Sequence, residues 1–213
     1  MAGVATAALS RTEKVFVAII GGGALLSIPA AAWALVASAV ALTTEASVRV
    51  AGIHVVNSAY PPVLAASAAP VDAGYETAWV EVANLPGGAR WLLWIEAALP
   101  MLLALGIAIA VALLAFALLR GAPFARGLPA MLGVVAIAVV ASGLGTQVVG
   151  AIARAETVAF LGVGKPVGDP AEGLAVFSAT LDPSPFAWGL GIGLVAAAFS
   201  IGTRLQRDTR GLV

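Results

Sequence analysis

Four long apolar stretches constrain this chain more than any other feature of its sequence. They cover approximately residues 15–42, 91–119, 127–152 and 185–203. About 20 residues of α-helix cross the ~30 Å hydrocarbon core of a bilayer, so each stretch is long enough to span it. Only 10% of the residues are charged, whereas soluble domains have about 25%. We therefore expect an all-α membrane protein whose helices face the lipid bilayer.

The first apolar stretch has a second interpretation, because Arg11 and Lys14 precede it as basic residues precede the core of a signal peptide. The apolar core of a signal peptide is typically about 7–15 residues long. Residues 15–42 form a much longer uncharged run. This length favours a retained membrane helix.

Two polar segments separate the apolar stretches, at residues 43–90 and 153–184. In the first, Val48–Val56 has strand character and Ala78–Val82 alternates between apolar and polar residues. In the second, Ala175–Leu181 is a candidate strand for the same sheet. The sequence predicts a four-transmembrane-helix antiparallel bundle with a small β-containing extracytoplasmic cap. We expect residues 1–213 to form a single integral membrane domain, with 43–90 and 153–184 as its outer loops.

The distribution of basic residues predicts the orientation of the chain. With four spans both termini lie on one side, which also holds the short connection between the second and third stretches. Basic residues predominate on that side, and acidic residues on the other. Basic residues that flank helix ends mark the cytoplasmic side. We expect a multi-pass protein of the bacterial cytoplasmic (inner) membrane with both termini in the cytoplasm. The basic residues of the cytoplasmic side are Arg11, Lys14, Arg120, Arg126, Arg204, Arg207 and Arg210.

Glu96 is an acidic residue inside a predicted span, close to its start at Trp91. An intramembrane acid is a candidate for a proton relay, an ion site or a pair with a base. The alternative is an interfacial carboxylate that reaches the headgroups or pairs with Arg90 or the cap. The position of Glu96 near the helix start favours the interfacial interpretation.

Gln147 and Thr146 are polar residues in the third apolar stretch. They are candidates for a pore or substrate pocket, but hydrogen bonding between helices is the commoner role and contributes roughly 0.6 kcal/mol on average. His54 is a candidate pH sensor, although a lone histidine in a strand is more often a packed residue. Gly189 and Gly193 have the spacing that brings membrane helices into close contact, within the chain or with a partner.

The sequence carries no motif that indicates catalysis or a cofactor. It contains no Walker sequence, no dinucleotide-binding glycine pattern, no nucleophile elbow and no zinc-protease motif. Without cysteine and with a single histidine, it has neither a disulfide framework nor a multi-histidine metal site. Its formal net charge of +0 shows no overall basic excess that would indicate binding to nucleic acid. We expect a non-enzymatic protein without cofactors.

Two short motifs resemble a bacterial membrane-protein family that is known only as a domain of unknown function. One is Gly121-x-Pro123-Phe124, between the second and third stretches. The other runs Phe199-x-x-Gly202-x-x-Leu205-x-x-Asp208-x-x-Gly211 at the end of the chain. The resemblance implies a four-helix fold and a link to signalling, because family members are often encoded beside helix-turn-helix regulators. The chain departs from the family after Phe124, where the usual basic cluster is reduced to Arg126.

The C-terminal tail also has a direct physical interpretation. Arg204 and Asp208 have the i, i+4 spacing of a helical ion pair. Basic residues in such a tail attract anionic lipids by about 1 kcal/mol each. The tail is therefore either a membrane anchor or a binding element.

These observations leave three functional hypotheses. The first is a membrane protein that binds a protein partner through its cytoplasmic face, with a role in signalling or in control of a regulator. The second is an accessory subunit of a larger membrane complex, such as a transporter or respiratory assembly. The third is a small transporter that uses Glu96 and Gln147.

Overall fold

A computed structural model of the protein describes residues 10–56, 74–120, 127–167 and 172–210, and for Leu128 and residues 203–210 it describes the backbone alone. The described part is mostly helical and includes a small sheet. Its elements in chain order are α1 (Arg11–Thr44), β1 (Ser47–Val56), β2 (Thr77–Ala83), α2 (Gly87–Leu119), α3 (Leu128–Leu161), β3 (Gly164–Lys165), β4 (Gly173–Ala175) and α4 (Ser184–Arg210).

The described residues include four helices that are long and apolar enough to cross a membrane, as the sequence predicts. They fit a multi-pass membrane protein. Helix α1 begins before the apolar stretch because Ser10 and Glu13 form a capping box. The Ser10 N–H donates to Glu13 Oε2 at 2.7 Å, and the Glu13 N–H donates to Ser10 Oγ at 3.3 Å. These two bonds satisfy backbone donors that the first helical turn leaves without partners.

The chain divides into two compact units. The first comprises the described residues of Met1–Val36, Leu99–Leu144 and Pro183–Val213. Glycines bring its helices together. A methyl group on Gly21 of α1 would lie 2.8 Å from the Ala115 Cβ of α2. A methyl group on Gly189 of α4 would overlap Val140 of α3. The small residue at position 189 therefore supports a helix contact within the chain, one of the two roles that its spacing predicts.

The second unit comprises the described residues of Ala37–Ala98 and Gly145–Asp182. It contains a four-stranded sheet in the order β2-β1-β4-β3. The predicted strands at 48–56 and 78–82 are β1 and β2, which pair in antiparallel fashion with an irregular register between Val50 and Ile53. The predicted strand at Ala175–Leu181 is wrong beyond its first residue, because residues 176–181 form no strand. A strand that ends at Ala175 joins the sheet instead. It is β4, at Gly173–Ala175, and it pairs with the end of β1.

Helix α3 corrects the predicted loop boundary, because it continues beyond Ile152 to Leu161. Its last two turns cover the sheet. Val158 is fully buried in a core that also contains Val50 and Ile53, and Leu161 packs against this core. The charged residues Arg154 and Glu156 lower the hydropathy of these turns, but burial of their apolar face stabilises them as helix.

Arg90, near the start of α2, caps the C-terminal end of α1. Its Nη1 donates to the carbonyl oxygens of Leu42, at 2.9 Å, and Glu45, at 2.8 Å. Its Nη2 donates to the carbonyl of Ala46 at 3.4 Å, and its Nε donates to that of Leu85 at 3.0 Å. The last carbonyls of a helix have no partner in the helix and carry partial negative charge, so a guanidinium both satisfies and neutralises them.

We expect Arg90→Ala to destabilise the second unit by about 1.5–3 kcal/mol, the range for losing hydrogen bonds to a charged group. Arg90→Lys is the matched control. It keeps the positive charge near the α1 terminus but lacks the planar fork that reaches several carbonyls at once, so its stability should lie between those of the other two proteins. Thermal unfolding in mild detergent measures the difference. Equal midpoints for all three proteins would contradict the role of Arg90.

Candidate functional site

The second unit contains an ion pair between Glu96 of α2 and Arg154 of α3. Arg154 Nη1 lies 2.9 Å from Glu96 Oε1, and the two side chains are 26% and 23% exposed, respectively. Glu96 therefore has a basic partner, which both interpretations of this residue allow, since Arg154 lies in the segment predicted as an outer loop. The suggested partner Arg90 is wrong, because the Arg90 guanidinium is directed at backbone carbonyls.

Gly150 makes room for this ion pair. It lies one helical turn before Arg154, so both residues are on the same face of α3. A methyl group at Gly150 would overlap Glu96 Oε1 and would lie 2.5 Å from Arg154 Nη2. The absent side chain thus lets the Glu96 carboxylate approach the helix.

A polar cleft of about 190 Å³ adjoins the Arg154 side chain. The α3 face formed by Gln147, Ala151 and Arg154 lines one side of it, since these residues follow helical spacing. Strands β1 and β2 and the segment at residues 178–180 supply the remaining walls. The polar side chains that line the cleft are those of His54, Glu76, Thr77, Gln147, Arg154 and Thr180, among others.

An irregularity in β1 shapes the wall opposite α3. The β1–β2 register shifts between Val50 and Ile53, and Gly52 there has a φ of 74°, a conformation that glycine adopts more readily than other residues. A methyl group on Gly52 would lie 3.9 Å from Arg154 Nη1. Bulges of this kind redirect side chains and are common beside functional sites. Here the irregularity lies where the arginine approaches the strand.

Gln147 holds the segment that precedes α4. Its Nε2 donates to the Asp182 carbonyl at 3.1 Å, and its Oε1 accepts a 2.7 Å hydrogen bond from the Asp182 N–H. Gln147 thus has a structural bond, but the bond is to a backbone segment and not to another helix. The same residue lines the cleft.

His54 is half-buried and lines the cleft. Neither His54 nor the exposed Glu76 makes a side-chain hydrogen bond or ion pair with any residue that the structure describes. Among all the residues that the structure describes, no group of three or more His, Asp or Glu residues could hold a metal ion. The ionisable groups that line the cleft therefore do not form such a cluster among the described residues.

The two candidate residues of the tail lie on α4, which continues as helix to Arg210. This places Arg204 and Asp208 one turn apart along the helix. Their side chains lie outside the described residues, as does the Gly121-x-Pro123-Phe124 motif.

Sequence reasoning did not single out Arg154 or Gly150 as site residues. A signal was present, because Gln147, Gly150 or Ala151, and Arg154 recur at helical spacing. The assignment of residues 153–184 to a loop obscured this face of α3, since the helix was expected to end at Ile152.

Comparison with known proteins identifies no relatives: no family model matches the chain, and neither the curated proteins nor the solved structures contain a match.

We expect Gly150→Ala to destabilise the protein by about 1–3 kcal/mol, the usual cost of overpacking, because the new methyl group would displace the Glu96 carboxylate. Gly133→Ala is the matched control on the same helix, since a methyl group there has no neighbour within 4 Å. The control should be neutral or slightly stabilising, because alanine favours helix over glycine. Thermal unfolding in detergent measures both effects.

A double-mutant cycle with Glu96→Ala identifies the cause. Once the carboxylate is removed, Gly150→Ala should cost much less than it does in the native protein. An unchanged cost in the Glu96→Ala background would contradict the role of Gly150 in accommodating the ion pair.

Proposed function

We propose that this chain is a non-enzymatic, multi-pass membrane protein that works by binding another protein, and that the C-terminal end of α4 is the binding element. The observation that carries the proposal is the length of this helix. Its apolar run ends before Arg204 in the sequence, but α4 continues as helix to Arg210. A charged anchor needs no regular backbone, whereas a helical extension presents side chains at fixed spacing to a partner.

The spacing of residues along this extension supports a binding face. Phe199, Gly202, Leu205 and Asp208 recur at every third position of the sequence, so on a helix they form a slowly rotating stripe. The same residues carry the resemblance to the bacterial family whose members are associated with regulators. A regulator-controlling role is therefore the specific form of the proposal.

The proposed topology is an antiparallel bundle in the bacterial cytoplasmic membrane with both termini inside. The excess of basic residues at the termini supports it. The second unit, with its sheet, then forms the extracytoplasmic cap. It contains several acidic residues, including Glu45, Glu76, Glu81 and Glu156. It therefore lacks the excess of basic residues that marks a cytoplasmic segment.

A second candidate function is that of an accessory subunit in a larger membrane complex. The exposure of α1 favours it, because Gly21 is the only buried residue among the described residues of this helix. Large apolar side chains such as Leu26 and Trp33 are 75% and 73% exposed, respectively. Lipid or another subunit would cover them. The small-transporter hypothesis gains less support, since Glu96 and Gln147 have partners within the chain.

The proposed orientation predicts which single-cysteine variants react with a membrane-impermeant maleimide added to intact cells. The native chain has no cysteine, so each introduced thiol is a unique probe. Thr77→Cys in the exposed part of β2 should react in intact cells. Ser10→Cys, before α1, should react only after the membrane is opened. The reverse pattern would contradict the orientation.

The proposed binding element predicts that a partner is lost when the tail is altered. The tagged full-length chain, purified from native membranes in mild detergent, should capture a protein that the chain ending at Gly202 does not. The matched control replaces residues 203–213 by a scrambled sequence of the same composition. It keeps the charge and the length of the tail but changes the spacing of Leu205 and Asp208, so it should also lose the partner.

The same purification separates the two candidate functions. Retention of the partner by the scrambled control would show that the tail only anchors the chain, which contradicts the proposed binding element. A large complex that survives truncation of the tail would instead favour the accessory-subunit role. Cysteine labelling of each variant confirms that its orientation is native.

A further inference from the structure

The cleft beside Arg154 has the chemistry of a site for a small ligand, which goes beyond the proposed binding of a protein partner. We propose that it binds a small zwitterion that carries one carboxylate and one ammonium group, of the size of a small α-amino acid. The proposal rests on the volume of the cleft, on the unused donors of Arg154 and on the unpaired ionisable groups opposite it.

The volume of the cleft limits the size of its ligand. At about 190 Å³, it is smaller than the ~300–1,000 Å³ of pockets for drug-sized molecules. A small α-amino acid such as glycine or alanine suits a site of this size.

Arg154 is the anchor for the carboxylate. A guanidinium has five N–H donors, and Arg154 uses Nη1 to contact Glu96. Neither Nη2 nor Nε of Arg154 donates to another described residue. The side chain is 26% exposed and lines the cleft, and the proposal assigns these donors to the carboxylate of the ligand. A carboxylate can bind them while the Glu96 ion pair remains intact.

Glu76 is the group that would receive the ammonium. It lines the same cleft and is exposed, and its carboxylate has no partner among the described residues. His54, on the neighbouring strand, contributes a ring nitrogen that can donate or accept a hydrogen bond.

The balance of charges favours a zwitterion over a simple ion. The positive charge of Arg154 is already shared with Glu96, and Glu76 adds a second negative charge at the rim. A simple anion would meet the Glu76 carboxylate, and a simple cation would meet the Arg154 guanidinium; both contacts are unfavourable. A ligand with both charges places each one beside its opposite.

Calorimetric titration of the full-length chain in mild detergent tests the proposal. The probes are glycine and alanine as zwitterions, acetate as the isolated anion and methylammonium as the isolated cation. Alanine or glycine should bind saturably and at least about tenfold more tightly than either single ion, because removing one charged hydrogen bond costs about that factor or more. Saturating zwitterion should also raise the thermal unfolding midpoint.

Glu76→Gln identifies the ammonium-binding group. Because this side chain is exposed and has no partner among the described residues, the variant should fold normally. Its affinity for alanine should fall by about tenfold or more, toward that of acetate. Glu156→Gln is the matched control, since Glu156 is an exposed residue of α3 that does not line the cleft. Its affinity should be unchanged.

Three outcomes would overturn the proposal. One is the absence of saturable binding for both zwitterions. Another is binding of acetate or methylammonium that is as tight as the binding of alanine. This would identify the cleft as a site for a simple ion. The third is an equal loss of affinity in Glu76→Gln and Glu156→Gln, which would indicate a general electrostatic effect. None of these results depends on the tail, so they leave the proposed protein partner untouched.

Discussion

Hydrocarbon offers no hydrogen-bonding partner to a peptide group, so a chain that crosses it must satisfy each N–H and C=O within its own structure. The described residues form four apolar helices of sufficient length, and the N–H and C=O groups inside a helix bond to one another. At the helix ends, the terminal N–H and C=O groups lack partners within the helix and need them from elsewhere. The capping box at Ser10 and Glu13 and the Arg90 guanidinium supply partners at the two ends of α1.

In the second unit, the C-terminal end of α3 contributes to both the core of the sheet and the polar cleft. The last turns of α3 cover a short sheet with Val158, while the same helix directs Arg154 toward Glu96 of α2. One helix thus contributes an apolar face to the core and a polar face to the cleft. Glycine is favoured at two points near the arginine. At Gly150 a side chain would overlap the Glu96 carboxylate, and at Gly52 the backbone has a φ of 74°.

The two proposals concern different units of the chain. The tail of α4 belongs to the first unit, and the cleft belongs to the second. In the proposed topology one lies in the cytoplasm and the other outside it. Coupling between the two sites would need a difference in ligand affinity between two states of the chain.

The sequence by itself determined the four membrane-length helices and the strands β1 and β2. Hydropathy and alternation are local properties, and no distant contact is needed to read them. The C-terminal limit of α3 required tertiary structure, because burial of Val158 against the sheet outweighs the polarity of Arg154 and Glu156. The partner of Glu96 also required it. Arg154 is 58 residues away in sequence, and only the packing of α2 against a glycine of α3 brings the two charges together.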